Sequence, residues 1–291
     1  LQMSLNSLTS LMESNCKVNG DKGDFFDLLR FPDEIIDQLF SYLDLEERSQ
    51  MRLNKRLHKI VEGSKYYVGE MLLMQRRNND YEYAVNIKRR FYQLNFIRRI
   101  AHNTSIGILK IFFNDSDELN LKFCNIIKEF NIGSITELSI WFWGNAREKE
   151  IMTDSFFLDL SRRCEFLDIS ESDADNISPM VLSNVYKGMR DGSVSVRRIK
   201  LSNIKRVILH AFLNSLGIAV RNGQVISNRN IEAYQNYEDG DNDHVYSLNI
   251  FDGFIRIRFV VFANDDIDNI VISRSITIHA YKNLDALNSA K

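Results

Sequence analysis

A chain of 291 residues, 44% hydrophobic and 26% charged, has the make-up of a globular protein and not of a collagen-like or disordered one, and its length predicts about two domains. Its 37 basic and 39 acidic residues leave a formal charge of −2, so net charge favours neither nucleic acid nor an anionic membrane as a partner. No window approaches the roughly 18 uninterrupted apolar residues that a membrane-spanning helix requires.

Residues 1–24 are expected to be a flexible N-terminal tail. The stretch LQMSLNSLTSLMESN lacks the basic start and continuous apolar core of a secretion signal; Leu5, Leu8, Leu11 and Met12 fall at helical spacing, but Ser and Asn interrupt them. Cys16, Cys124 and Cys164 are far apart with no Cys-x-x-Cys spacing, which implies neither a disulfide framework nor a zinc site. A reducing, intracellular setting, cytoplasm or nucleus, fits that usage best.

The next segment, FPDEIIDQLFSYLDLEERSQMRLNKRLHKIVE at residues 31–62, is punctuated into three short helices. Pro32 suits a first helical position, where its missing N–H costs nothing, and Asp33 and Glu34 lie against the positive end of the helix dipole. Ile35, Ile36, Leu39, Phe40 and Leu43 follow at helical spacing. Asp44 and Glu47 form a capping box that starts a second helix, and Asn54 caps a third with Leu57, Ile60 and Val61 on one face. Three helices in roughly 35 residues cannot enclose a core by themselves, so a partner or the rest of the chain must cover their apolar face.

In the order and spacing of these features the segment resembles an F-box: an apolar-Pro pair, an acidic-then-aliphatic start, an apolar-apolar-x-x-Leu step, an Asp/Glu-Arg region and a basic third helix. The resemblance implies a three-helix F-box over residues 25–64. It also implies binding to a Skp-family adaptor, which hangs on a cullin scaffold with a RING subunit and a ubiquitin-conjugating enzyme. The positions that match the family's adaptor-binding pattern are Pro32, Ile35, Leu39, Leu43, Leu53 and Leu57. Phe31 stands where Leu is commonest, and Leu53-Asn54-Lys55-Arg56-Leu57 replaces the more frequent Val-Cys-Lys/Arg-x-Trp/Phe run; both departures keep apolar side chains at the apolar positions. The function implied is that of a non-catalytic substrate receptor of a Skp-cullin-F-box ubiquitin ligase. The alternative is an α/β repeat scaffold for protein–protein interaction without ubiquitin transfer.

Residues 65–291 read as an α/β substrate-binding domain. Between Gln75 and Ile100 seven basic and two acidic residues alternate with aromatics, as on a solvated helix face or a patch for an acidic partner; RNA binding there is the weakest of the functional readings. Leu109-Lys110-Ile111, Leu138-Ser139-Ile140, Leu167-Asp168-Ile169 and Ile199-Lys200-Leu201 recur at intervals of 29, 29 and 32 residues, with helical spacing between them at 119–130, 156–163 and 180–189. Strand and helix recurring at that period predict a leucine-rich-repeat-like α/β array, with a non-repeating α/β domain as the alternative. Asp252-Gly253 between two apolar runs predicts a C-terminal antiparallel hairpin, and 270–280 a further strand.

No catalytic, cofactor or metal site is read from the chain. His58, His102, His210, His244 and His279 are isolated from one another, and no nucleophile motif or phosphate loop is present. A calcium loop beginning at Asp239 would need Gly and Glu where His244 and Ile250 stand, so 238–243 reads as an exposed acidic loop. The expected partners are the Skp-family adaptor, cullin through it, and a protein substrate, with no membrane or nucleic acid. Substrate contacts are expected on the outward row Lys110, Ser139, Asp168 and Lys200, with Trp141 or Trp143 next to that row as the aromatic anchor and Lys200 as its partner contact.

Overall fold

The computed structural model describes residues 31–40, 43, 48, 55–75, 83–87, 90–92, 94–142, 148–173, 177–221, 224–227, 231–239, 244–262, 272–281 and 286–287. It divides into two compact units, 1–61 and 62–291. In the first unit, helix α1 spans Asp33–Phe40 and α2 spans Lys55–Gly63, the latter running on into the second unit. The Pro32 carbonyl accepts from the N–H groups of Ile35 and Ile36, both at 3.1 Å, so the helix opens where proline and the two acids predict. Ile36 and Phe40 are fully buried, as is Val61 on α2. Arg56 joins the two helices: its guanidinium donates to the Asp33 carboxylate at 2.8 Å and to the Phe31 carbonyl at 2.8 Å. Apart from Arg48, the helix expected from Asp44 and Glu47 lies outside the described residues, as do the tail 1–24 and the Asn54 cap.

The second unit is mixed α/β. Its elements in chain order are β1 (Tyr66–Gln75), β2 (Tyr83–Ile87), β3 (Arg90–Tyr92), α3 (Leu94–Ile100), β4 (Thr104–Phe113), α4 (Asp117–Glu129), β5 (Ile135–Phe142), α5 (Glu148–Ile151) and α6 (Asp154–Arg163). There follow β6 (Cys164–Asp173), α7 (Pro179–Asp191), β7 (Arg198–Lys205), α8 (Arg206–Ser215), β8 (Ile218–Arg221), β9 (Gln224–Ser227), β10 (Glu232–Asp239), β11 (His244–Asp252), β12 (Ile255–Phe262) and β13 (Ile272–Ala280). An eleven-stranded sheet has the order β10-β11-β12-β13-β7-β6-β5-β4-β1-β2-β3, and β8 and β9 form a separate hairpin. The five central strands from β7 to β1 are parallel; every other pairing in the large sheet is antiparallel.

The four triplets that recur in the sequence stand side by side in this sheet: Leu109 pairs Leu138, Leu138 pairs Leu167, and Leu167 pairs Ile199. Three residues upstream of each Leu or Ile lies another buried side chain, Ile106, Ile135, Cys164 and Val196 in turn. The preceding strand repeats the pattern with Val68, Met71 and Leu73, all buried. A buried residue at the first, fourth and sixth place of a unit thus recurs five times, once more than the triplets alone disclose.

Three of the crossover helices, α4, α6 and α7, start on a hydroxyl cap. Ser116 accepts from Leu119 N, Thr153 from Phe156 N and Ser178 from Val181 N, each satisfying an N–H that the helix leaves unpaired. Gly192, at φ 76°, closes α7 in the left-handed conformation that a side chain disfavours. The turns entering the strands are stitched from unit to unit: Gly133 N donates to the Arg162 carbonyl at 3.1 Å, Ile106 N to Ser134 at 2.8 Å, and Val196 N to Ser161 at 2.9 Å.

The structure bears on two further expectations. The basic stretch 75–100 is not one helix face, because β2 and β3 fold back antiparallel beside β1 and, among the described residues of the stretch, only Leu94–Ile100 is helical; short aromatic and aliphatic alternation pairs there with an available strand edge. The antiparallel C-terminal part carries the expected hairpin and third strand, which together cap the last parallel strand. The strands β11 and β12 meet around Gly253, at φ 62°, but β13 inserts between β12 and β7 and so is itself the strand that closes the parallel row.

A buried polar contact ties the two halves together. The Tyr186 hydroxyl on α7 donates to the Asp252 carboxylate at 2.7 Å, and Arg190 lies 3.5 Å from the same carboxylate, which is 7% exposed. Replacing Tyr186 by Phe removes one of its partners and is expected to cost about 1–3 kcal/mol of stability, read as a lower urea midpoint with an unchanged slope. Close approach of backbones sets a second expectation. A Cβ on Gly107 would stand 2.6 Å from the Gly69 carbonyl oxygen, so Gly107→Ala is expected to lower stability by about 1–3 kcal/mol in the same measurement.

Candidate functional site

Because alternate residues of a strand point to opposite faces, burying the aliphatic columns of the sheet sends a second set of side chains to its other face. Two rows of that set run across the strands in register. One is Leu72, Lys110, Ser139, Asp168, Lys200, Thr277 and Arg258. The other is Glu70, Ile108, Glu137, Phe166, Arg198, His279 and Arg256. We call this the open face.

Its β1–β4–β5 half is mixed in charge and carries aromatic surface. Lys110 Nζ is 2.6 Å from a Glu70 carboxylate oxygen, and Phe112 and Trp141 stack with centroids 4.8 Å apart and planes 9° off parallel. Trp141 is half-buried; Trp143 lies outside the described residues. Of the expected outward row, Lys200 is exposed and Lys110 and Asp168 are half-buried, but Ser139 is only 5% exposed. A serine side chain is too short to reach past the longer Lys110 and Asp168 on the flanking strands. Asp168 also reaches to 3.6 Å from Lys200, so the expected contact residue already has an acidic neighbour.

The β7–β13–β12 half is basic. Arg198 lies over the Phe166 ring at 4.5 Å, while Arg256 donates twice to the Asn249 side-chain oxygen, at 3.0 and 2.7 Å, and lies over Phe251 at 5.8 Å. Between them His279 stacks on Tyr281 at 4.2 Å. Burial, then Arg198 and Arg256, push its imidazole below the ordinary value of 6.5. Of this half only Lys200 was singled out from sequence. Arg198 stands two residues before it on the same strand, while His279 and Arg256 belong to strands brought beside β7 by pairing over a long sequence distance, which no local pattern announces.

On the helical side a groove of about 290 Å³ lies among α4, α5 and α6, lined in part by Asp117, Leu121, Cys124, Lys128 and Glu150. Burial pushes the Cys124 thiol up to about 11, which leaves it protonated at neutral pH and a poor nucleophile; Cys164 is raised further in a drier site. Among the described residues no three His, Cys, Asp or Glu side chains are grouped so as to hold a metal ion, and no helix is long and apolar enough to cross a membrane. The acidic stretch 238–243 is split: Glu238 and Asp239 end β10, paired with Val245 and His244, and 240–243 lie outside the described residues.

In the first unit the residues of the F-box pattern fall on two sides. Pro32 and Ile35 are exposed, Ile35 at 41%, and Leu39 and Leu43 are half-buried, whereas Leu57 is 8% exposed and belongs to the buried side. Leu53 lies outside the described residues.

No protein-family model matches the chain, and no curated protein matches it. Among solved structures, a 2-dehydro-3-deoxygluconokinase from Thermotoga maritima is similar at 11% identity and a TM-score of 0.19, over 68% of this chain and 81% of that one. An S-adenosylmethionine-dependent methyltransferase from Clostridium acetobutylicum is similar at 11% identity and a TM-score of 0.16, over 88% and 82%. Similarity at that level carries no argument about fold or function.

The position of His279 makes a pH expectation. Its folded-state value is depressed, so the unfolded chain binds the extra proton more readily; its contribution to stability is full above the unfolded value of 6.5 and is lost as pH falls through the lower folded one. Replacing His279 by Gln is therefore expected to flatten the fall in urea midpoint below about pH 6.5. An identical acid dependence in both proteins would show that His279 does not titrate this way.

Proposed function

We propose that this chain is a substrate receptor of a Skp-cullin-F-box ubiquitin ligase, with no catalytic step of its own. In this reading residues 25–64 form a three-helix F-box that holds the Skp-family adaptor, and through it the cullin. Residues 65–291 form a leucine-rich-repeat-like domain whose open face holds a protein substrate, with Trp141, Trp143 and Lys200 among its contacts. An intracellular setting follows from the ligase it would join.

The sidedness of α1 is the observation that carries the proposal. Ile36 and Phe40 bury completely, while Pro32 and Ile35 face outward and Leu39 lies half-buried beside them. An aliphatic strip of this kind on a small helical unit needs a cover, and it coincides with positions where the F-box resemblance puts the adaptor. The recurrence of buried places one, four and six over five parallel strands supports the second half of the reading, since stacked strand-helix units present one continuous surface to a partner.

Leu39→Asp tests the docking half. A lone carboxylate in a dry interface costs several kcal/mol, enough to weaken binding by about a hundredfold or more. Loss of co-purification with a Skp-family adaptor is expected, with the thermal unfolding of residues 62–291 unchanged. Undiminished adaptor capture by this variant would remove the F-box reading.

A further inference from the structure

We infer that the β7–β13–β12 end of the open face is a docking trough for an extended peptide segment bearing a run of consecutive acidic residues. Calling that peptide part of a substrate rests on the receptor reading above; its binding does not.

The strand register places four cations around one strand. Arg198 and Lys200 stand on β7, Arg256 and Arg258 on β12, and β13 runs between them with Thr277 and His279 on the same face. Ile199, Leu201, Ile255, Ile257, Phe259, Ile276 and Ile278 are buried on the other face, which fixes the direction of the cations. Two of them are held apart. Arg198 leans over Phe166 on β6, and Arg256 leans over Phe251 and onto Asn249, both on β11, so the two guanidinium groups tilt away from β13 on opposite sides. The strands that carry the two basic walls are about 10 Å apart, two strand spacings, and flank a floor of a threonine and a histidine. The acid facing this end from the neighbouring strand β6 is Asp168, 3.6 Å from Lys200.

Walls at that separation do not close on a single small anion. They do match the repeat of an extended chain. Within each wall the two cations are two residues apart, roughly 6.8 Å, which is also the distance between side chains i and i+2 of an extended peptide. A peptide lying along β13 would turn residues i and i+2 to Arg198 and Lys200 and residues i+1 and i+3 to Arg256 and Arg258. About four consecutive Asp or Glu residues therefore fit, and the same number of acids scattered along the chain does not. Guanidinium groups already braced on rings and an amide lose little freedom on pairing with carboxylates.

The test uses the full chain and a fluorescein-labelled synthetic peptide with a run of about four glutamates between Gly-Ser flanks, read by fluorescence anisotropy. An isomer with the same glutamates spread apart is the comparison. The run peptide is expected to bind, to weaken with added salt, and to bind about tenfold less well to the double variant Arg198→Glu, Arg258→Glu. A matched charge change on exposed helical positions, Lys128→Glu with Arg162→Glu, is expected to leave binding within about twofold. Should the reversal lower the unfolding temperature, Arg198→Gln with Arg258→Gln replaces it, with a smaller loss of about threefold. The His279 imidazole supplies a second readout, since bound carboxylates offset the charges of Arg198 and Arg256 and should raise its titration in NMR spectra.

Failure to bind the run peptide, equal binding of the spread isomer, equal weakening by the helical control, an unmoved His279 titration, or equally tight binding of a short oligouridylate would each overturn the inference. The Leu39→Asp variant is expected to bind the peptide as the parent chain does. Absence of adaptor capture by the parent chain would thus defeat the receptor reading while leaving the trough's own result legible.

Discussion

Everything in the larger unit depends on keeping the aliphatic columns of neighbouring parallel strands in register. Leu109, Leu138, Leu167 and Ile199 form one such column, and each is at most 1% exposed. Slipping one strand by a single residue would send its whole apolar set to the opposite face, where water and Lys110, Asp168 and Lys200 stand. A loss of several buried aliphatic side chains, each worth about 1.5–3 kcal/mol, exceeds the net stability of most domains. The caps on Ser116, Thr153 and Ser178 serve the same register from the other end, because each fixes where a crossover helix begins and hence how much chain remains to reach the next strand.

That constraint also decides where chemistry can sit. Side chains turned away from the columns are under weaker packing constraint and differ from strand to strand, and charge on the open face is segregated. Around β1, β4 and β5 Lys110 is met by Glu70, whereas β7 and β12 each contribute two cations flanking β13. Insertion of β13 between β7 and β12 makes that end of the face. Had β12 paired directly with β7, the cations would be adjacent and mutually repulsive, without the width that now separates them.

What was legible in the sequence was local. The triplets, the crossover helices and the Asp252-Gly253 turn each rest on periodicity or turn chemistry within a few residues, and each appears where that chemistry puts it. Less legible were the first buried places of the repeated units. Ile106, Ile135, Cys164 and Val196 differ in type and lie three residues from the triplets, a spacing that alternation alone does not suggest. The pairing of β13, the Tyr186–Asp252 contact and the wall of Arg256 and Arg258 depend on partners far along the chain, and a single sequence records those only after the strands have been placed. Ser139 shows a smaller failure: the right face, but too short a side chain to be reached.

The two units display opposite kinds of surface, and the difference bears on what each could bind. On α1 the outward side chains are a proline and two aliphatic residues beside charged Asp33, Asp37 and Glu34, a surface whose free energy is realised only if water is expelled. On the open face the outward groups are largely ionic and already partly paired, as with Lys110 and Glu70 or Lys200 and Asp168; such groups contribute little to affinity by desolvation and much to orientation and to the choice of partner. A dry contact suits a constant partner, held alike whatever else is bound. A wet, charged one suits a partner that must be discriminated and then released, because its strength follows charge pattern and salt more than buried area. In the receptor reading, the division of apolar strip and ionic face between separate folded units would let one attachment be permanent while the other remains selective.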